Sequence, residues 1–301
     1  MINLDFLLNP PKGLAVQTVV GIAFVLGLLH GITPDEHTWP ITFSYSVGSY
    51  STRGGMKSGF MFSLGFTVQR ALLTTLGFLG LATVYRVYSL DGPVYLAVGS
   101  LMFVAGSYIL KGRYIHLPID SLIGREHHGR EAERLPLHET EVKNVPLRMA
   151  ALHGAVAGWG FGAYATIITF VLAPQMPSLL YAPLPGLAFG LGTMCMQVVI
   201  GSLFANLMRV KGMTVEQLKH VGRSTAGRVL YYGGAAFAAV GALVTSFPFL
   251  DRLAVSTGNP IPNLDTIGLS TLLVVTVVGV IGLGSMYRSY AETVKKRRPE
   301  G

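Results

Sequence analysis

Residues 28–40 read LLHGITPDEHTWP, and the reading of this stretch decides the reading of the chain. Four ionisable side chains, His30, Asp35, Glu36 and His37, fall within eight positions, directly after an apolar run. Gly31 is a plausible helix end, because glycine adopts the backbone conformation that closes helices. Thr33, Pro34 and Glu36 have the pattern of a helix start: a hydroxyl at the N-cap, proline at the first helical position and an acid three residues after the cap. The expectation is that one helix stops near His30 and another begins near Pro34. The first would present its negative dipole end, which favours a cation, and Asp35 and Glu36 would offset the positive start of the second. Glu36 reads first as a cap and second as a ligand. A break of this kind inside a bilayer is tolerated only where it is buried in protein or lines a cavity.

The segment beyond the break, HTWPITFSYSVGSYS, has an apolar face at helical spacing (Trp39, Phe43, Val47, Tyr50) and a hydroxyl stripe (Thr38, Thr42, Ser46, Ser49). It also alternates with period two, as a strand would. An isolated strand would leave its backbone unpaired in lipid, so a helix is expected, crossing fully or in part.

The composition makes lipid the relevant solvent. The chain has 301 residues, of which 50% are hydrophobic and 13% charged, with 37 glycines. Soluble proteins average about 25% charged residues, and the mean hydropathy here is +0.50. A crossing helix needs about 20 apolar residues. Such spans are expected near 14–30, 58–83, 92–110, 148–173, 183–208, 227–247 and 268–290, with 34–51 ambiguous, giving seven to eight transmembrane helices. The expected organisation is a single polytopic membrane domain over 1–301: a first repeat over about 30–110, a loop at 111–146, a second repeat over about 147–247 and an extra C-terminal span at 268–290. The N-terminus lacks the basic start and small-residue cleavage site of a signal peptide, so the first span is expected to be kept. A single cysteine, Cys195, excludes an internal disulfide and a cysteine-cluster metal site.

The net charge of +8 is unevenly placed. Loop 111–146 carries Lys111, Arg113, Arg125, Arg130, Arg134 and Lys143; loop 209–226 carries Arg209, Lys211, Lys219 and Arg223; the tail carries Arg288 and KKRR at 295–298. The alternate loops, 174–182 and 248–267, hold only Arg252. This is a positive-inside pattern rather than a nucleic-acid patch, and it predicts a multi-pass cell-membrane protein with a cytoplasmic C-terminus.

The chain echoes itself. HGITPDEH at 30 is followed by HGAVAGWG at 153, and GFMFSLGFTVQ at 59 by GLAFGLGTMCM at 186, so that Gly59, Phe62, Leu64 and Gly65 fall on Gly186, Phe189, Leu191 and Gly192. A third Gly-rich span follows in each half. The fold class expected is an all-α integral membrane protein with two inverted three-helix repeats and an interrupted N-terminal helix, an architecture in which substrate sits between the repeats.

His30, Asp35 and His37 are imidazole and carboxylate donors suited to nickel, cobalt, copper or zinc, and ionisable groups within a span need such compensation. His153 holds the matching place in the second half. Gln69 and Arg70 lie inside another span, and Arg70 needs a partner there: Asp35, Glu36 or an anionic substrate. Met194, Cys195 and Met196 are consecutive and cannot share a helix face. His116, His127, His128 and His138 lie in the polar loop. No Gly-rich phosphate loop precedes a Lys-Ser or Lys-Thr pair, and no zinc-protease pattern is found.

These residues resemble the nickel/cobalt permease superfamily, the NiCoT/NicO group with its urease-accessory membrane relatives. HGITPD at 30–35 matches the spacing of that family's first histidine and aspartate, and GFMFSLGFTV at 59–68 matches the frame of its second motif. The second histidine is His37, one place late; Phe66 stands where the second motif has histidine; and GFGAYATI at 160–167 lacks the later acidic motif. The resemblance implies transport of a divalent transition metal, nickel or cobalt first, with His30, Asp35 and His37 as primary ligands, and the internal repeat adds His153 as a second-half partner. Glu36, Thr38, Thr42, Ser46, Gln69 and Arg70 would line the path or support the ligands. The metal would be substrate rather than resident cofactor, no enzyme activity is implied, and the partners would be the bilayer and a homo-oligomer or accessory subunit. Two other readings stand beside it: a transporter of an organic or sulfur-containing anion anchored by Arg70, and an intramembrane metal-dependent enzyme.

Overall fold

A computed structural model describes residues 3–84, 88, 90–111, 147–207 and 213–295. The polar-loop histidines at 116, 127, 128 and 138, and the basic run at 296–298, lie outside the described residues.

The described chain is mostly helical. After a short α1 (Leu4–Leu8), α2 spans Val16–Ile32, α3 Trp39–Gly48, α4 Thr52–Phe78 and α5 Asp91–Leu110. Then come α6 (Leu147–Ala157), α7 (Ala163–Gln175), α8 (Leu184–Leu207), α9 (Val215–Ser246) and α10 (Leu269–Thr293). Single π-type stretches widen α7 at Ile167–Leu172, α9 at Val229–Gly233 and α10 at Val275–Leu283. Four helices, α5, α8, α9 and α10, are long and apolar enough to cross a membrane. Large apolar side chains such as Val68, Leu72, Val199, Leu203 and Val280 point outward. A water-facing surface would not carry them at this density, whereas lipid would accept them.

Two helical stretches are interrupted. α3 has 10 residues, about 15 Å of helix and half of a hydrocarbon core of about 30 Å. α2 and α3 are separated by the irregular segment 33–38, and α6 and α7 by the irregular segment 158–162.

The first break forms differently from the sequence expectation. α2 runs through Gly31 to Ile32, and Thr33 is its C-cap rather than the N-cap of the next helix. The Thr33 Oγ1 donates back to Leu29 O at 2.9 Å, so the hydroxyl closes the helix behind it. Asp35 Oδ1 accepts from the His37 N–H at 3.0 Å, a local turn in which the side chain stands in for backbone. Glu36 is engaged by His37 and Tyr95, and no capping box forms. With those groups used elsewhere, α3 starts only at Trp39, with Pro40 in its first turn.

Close backbone packing through glycine sets the arrangement. α4 and α8 run antiparallel: a Cβ on Gly186 would overlap Arg70 O, and one on Gly55 would overlap Gly201 O. α2 lies parallel to α8, where Gly27 faces Phe189 and Gly192 faces Phe24 and Leu28. α6 lies parallel to α4, where Gly154 faces Phe62 and Phe66, and Gly65 faces Ala151 and Ala155. α5 and α9 pair antiparallel through Gly99, Gly106, Gly234 and Gly241. Small residues allow this approach, which gives tight dispersion contact where lipid supplies no hydrophobic drive between helices.

Between α9 and α10 the chain makes a turn at Pro248–Arg252 and a two-stranded hairpin, β1 (Ala254–Ser256) antiparallel to β2 (Thr266–Gly268), with Ala254 opposite Gly268. The loop 257–265 folds over the first break. Asn263, at φ 69, donates from Nδ2 to Thr33 Oγ1 at 3.2 Å, and the Tyr164 hydroxyl donates to Pro262 O at 3.4 Å.

Candidate functional site

The two breaks meet. Gly160, in the second, packs on the ring of His37, in the first. Arg70 Nη2 donates to Gly160 O at 3.0 Å, tying the second break to α4. Between them lies a cavity of about 170 Å³ that extends to the hairpin. His30, Asp35, Glu36, His37 and Arg70 line it together with Asp91, Tyr95, Gly160, Tyr164 and Asp251. Its depth follows from His30, whose ring stacks on Phe66, near the middle of α4, at 5.5 Å between centroids, and on Phe189 of α8 at 5.1 Å.

Three donor groups are concentrated here. Asp35, Glu36 and His37 each offer one ligand atom, and those atoms lie within 4.8 Å of one another. That is slightly wider than the first shell of one ion, whose N and O ligands stand about 2.0–2.2 Å from the metal. His37 is fixed from two sides. Its Nδ1 is 3.0 Å from Glu36 Oε1, and its ring stacks on Tyr95 with centroids 5.1 Å apart and planes inclined by 9°. Tyr95 also donates its hydroxyl to Glu36 Oε1 at 3.1 Å. With Nδ1 facing the carboxylate, His37 Nε2 is left buried without a hydrogen-bond partner. A carboxylate holding one ring nitrogen so that the other faces a metal is the usual support of ligating histidine. Glu36 therefore serves as the orienting group behind His37. His30 Nδ1 stands 3.9 Å from Asp35 Oδ2, and neither of its ring nitrogens has a hydrogen-bond partner.

The hairpin side of the cavity is acidic. Asp91 begins α5, and Asp251 sits in the turn before β1. Burial, then the neighbouring Glu36 carboxylate, push the Asp251 carboxyl above its ordinary value, while His37 pulls it back in part.

Other expected residues lie elsewhere. His153 is buried on α6, its Nδ1 3.0 Å from the Tyr45 hydroxyl and 2.8 Å from Met149 O, and it does not line the cavity. The hydroxyl stripe is buried in packing rather than facing the cavity: Thr42 donates to Gln197 Oε1 at 2.6 Å, Ser46 to Gly55 O at 3.5 Å, and Thr38 is fully enclosed. Gln197 also donates to Gly31 O at 3.1 Å, which seals the end of α2 away from the hairpin. Gln69 is buried against Gly158, with neither amide atom hydrogen-bonded. Cys195 is exposed and Met196 packs on Gly31, so neither faces the cavity. The sequence reading missed Tyr95, Asp91, Asp251 and Gly160. The acids carried a weak signal, being carboxylates at the edges of apolar spans. Tyr95 and Gly160 carried none, because their role depends on which helices become neighbours.

Fold and site together define a helical membrane protein with a buried carboxylate–imidazole cluster at the meeting of two broken helices. No family model, no curated protein and no solved structure matches the chain.

Proposed function

We propose that the chain is a transporter of divalent transition-metal ions, nickel or cobalt first, related to the nickel/cobalt permeases that its HGITPD stretch resembles. The observation that carries this reading is the cluster: Asp35, Glu36 and His37 ligand atoms within 4.8 Å of one another, buried where two helix breaks meet. Asp35 and His37 of that cluster bind the ion, Glu36 holds His37, and His30, 3.9 Å from Asp35, joins as the remaining ligand. Buried charges of this kind cost at least a few kcal/mol each in a membrane, and a dication offsets that cost. With one carboxylate and two imidazoles the site binds weakly enough to release. No nucleotide site is evident in the sequence, so an ion gradient or a partner protein would drive the transport.

The architecture in this reading is two inverted three-span repeats. α2–α3, α4 and α5 form the first; α6–α7, α8 and α9 form the second; α10 is extra. α2–α3 and α6–α7 each count as one broken crossing, which makes seven in all. The packing of the repeated motifs supports this. Gly65 and Gly192 correspond in sequence, and each packs on the helix that carries the His-Gly pair of the opposite half, Gly65 on Ala151 and Ala155 and Gly192 on Phe24 and Leu28. The charge pattern of the loops orients the chain in the cell membrane with the hairpin outside and the C-terminus in the cytoplasm. The cavity then faces outward.

The test is flux into liposomes loaded with a metal-quenched dye and challenged with nickel, cobalt, zinc and manganese. The expected result is nickel- or cobalt-dependent quenching that His37→Ala and Asp35→Asn abolish. Equal quenching in both variants, in protein of wild-type thermal stability, overturns the reading.

A further inference from the structure

Groups of both signs line the cavity. Asp35, Glu36, Asp91 and Asp251 supply the negative ones. The positive ones are Arg70 and the first turn of α7, represented by Gly162, Tyr164 and Ala165. The first N–H groups of a helix have no partner within it. The N-cap here is Gly162, and no side chain caps α7. Helix α7 runs for 13 residues, Ala163–Gln175, so its positive end is well developed and directed at the cavity, as in anion sites at helix N-termini. The Arg70 guanidinium is steered to the same place by Gly160 O and by the faces of Phe66 and Phe189, whose centroids lie 4.6 and 5.8 Å from its Cζ.

A separate observation also points to a ligand there. His30 is 5% exposed, lines the cavity, and meets Tyr164 of the α7 first turn edge-on at 5.5 Å. Both of its ring nitrogens lack a hydrogen-bond partner. A neutral imidazole carries one donor and one acceptor whichever tautomer it takes. A metal ion alone satisfies the acceptor and leaves the N–H buried without a partner. A cation beside an anion satisfies both.

We infer that the cavity binds a small carboxylate or oxyanion together with the cation, with the anion held by Arg70, the α7 N-terminus and the His30 N–H. This rests on the cation reading above for the other half of the site. The volume of about 170 Å³ holds about five waters at roughly 30 Å³ each, enough for an ion and an anion the size of acetate. The anion offsets the repulsion between Arg70 and a dication in the same cavity, so each ligand strengthens the other.

The experiment is equilibrium dialysis of the full chain in lipid nanodiscs, with radiolabelled acetate and nickel, each alone and together, at constant ionic strength. Wild type is compared with Arg70→Gln and with Ala163→Pro, which deletes one N–H at a position where proline suits a helix start. Acetate is expected to bind the wild type and to tighten nickel binding about tenfold, with nickel tightening acetate equally by reciprocity. Folded Arg70→Gln is expected to lose most of the acetate binding and all of the tightening, and Ala163→Pro to weaken both several-fold. If Arg70→Gln does not fold, Ala163→Pro decides alone. Nickel bound without effect of acetate, or acetate bound equally by wild type and folded variants, overturns the anion subsite. Acetate bound in an Arg70-dependent way with no nickel bound keeps the subsite and overturns the cation reading instead.

Discussion

Gly160→Ala tests whether His37 is held as a wedge between two walls. A Cβ at residue 160 would stand 2.6 Å from His37 Cε1 and Nε2, and 2.7 Å from Cδ2. Ordinary carbon contact is about 3.5–4.0 Å, so the ring must retreat by about 1 Å. On its far side Tyr95 stacks at 5.1 Å between centroids, and Nδ1 is tied to Glu36 Oε1 at 3.0 Å. The ring cannot retreat without compressing the stack or lengthening that contact. A hydrogen bond to a charged group contributes about 1.5–3 kcal/mol, and overpacking a well-filled site costs about 1–3 kcal/mol. Because the first change displaces a ligand and the second burdens the fold, the two effects separate. Nickel affinity, measured by calorimetry in nanodiscs, should fall about 10- to 100-fold, as it does when the orienting partner of a ligating histidine is lost. The melting temperature should fall by only a few degrees. Trimming the opposite wall with Tyr95→Leu gives the ring room, so the double variant should lose less than the sum of the two single losses. Wild-type nickel affinity in Gly160→Ala, with the melt unchanged, would mean that the ring is free to move and that its position does not define the site.

Asp251→Asn should stabilise the protein at neutral pH. Burial raises the folded-state pKa of Asp251, so the native protein binds its proton more tightly than the unfolded chain, and stability falls as pH rises through and above the ordinary carboxylate range. Thermal melts of Asp251→Asn should show a gain over wild type at pH 7 that vanishes near pH 3.5; a gain of equal size at both pH values would refute the burial argument. The same variant should weaken nickel binding by a few-fold, since it removes one charge from the acidic wall. His153→Gln should leave nickel affinity within about twofold while lowering thermal stability by about 1 kcal/mol, the usual net worth of a hydrogen bond, because the histidine is bonded to Tyr45 and Met149 away from the cavity. A tenfold loss of nickel binding in His153→Gln would return that residue to the ligand set.

The helices were legible where lipid decides them. α5 and α8 run over 91–110 and 184–207, within a residue or so of the apolar runs, because nothing but hydrophobic length sets their ends. α9 begins earlier than its apolar run, at Val215, because the box between Thr214 and Gln217 fixes the start in a polar segment. The break after His30 was legible as a place but not as a mechanism. Local pattern made Thr33 an N-cap, whereas tertiary contacts took Glu36 to Tyr95 and left Thr33 to close α2. The hydroxyl stripe shows the same limit. Period 3.6 places Thr38, Thr42 and Ser46 on one face, but only the position of α8 decides that this face meets Gln197 rather than the cavity. Most of the acidic and imidazole side of the cavity comes from eight consecutive residues and was therefore visible. Its other walls come from α4, α5, α7 and the turn before the hairpin, and adjacency among these is a property of the fold.

The energetics of the cluster bear on why it is there. Breaking a helix in mid-membrane frees backbone groups that lipid cannot satisfy, and the proposed architecture does so twice, at 33–38 and 158–162. It then sets Asp35 and Glu36 beside each other in burial, an arrangement in which like charges repel and desolvation opposes both. Apolar residues of equal volume would stabilise the same packing, since the close contacts of Gly27 with Phe189 and Gly154 with Phe62 need none of these charges. The glycine contacts hold the helices, and the breaks and acids weaken what the glycines build. Three unmet nitrogens, His37 Nε2 and both of His30, belong to residues that line the cavity, while unmet groups of Ser63, Gln69, His153 and Thr169 lie away from it. The adjacent carboxylates together with those three nitrogens are a cost at one space that an entering ligand would offset. Nickel should therefore raise the melting temperature of the wild type and not of Asp35→Asn/Glu36→Gln, which keeps the volume and removes the like charges, and that variant without metal should melt at or above the metal-free wild type. A variant that melts well below it would mean that the cluster stabilises the fold by itself, and the case for a ligand drawn from its cost would fail.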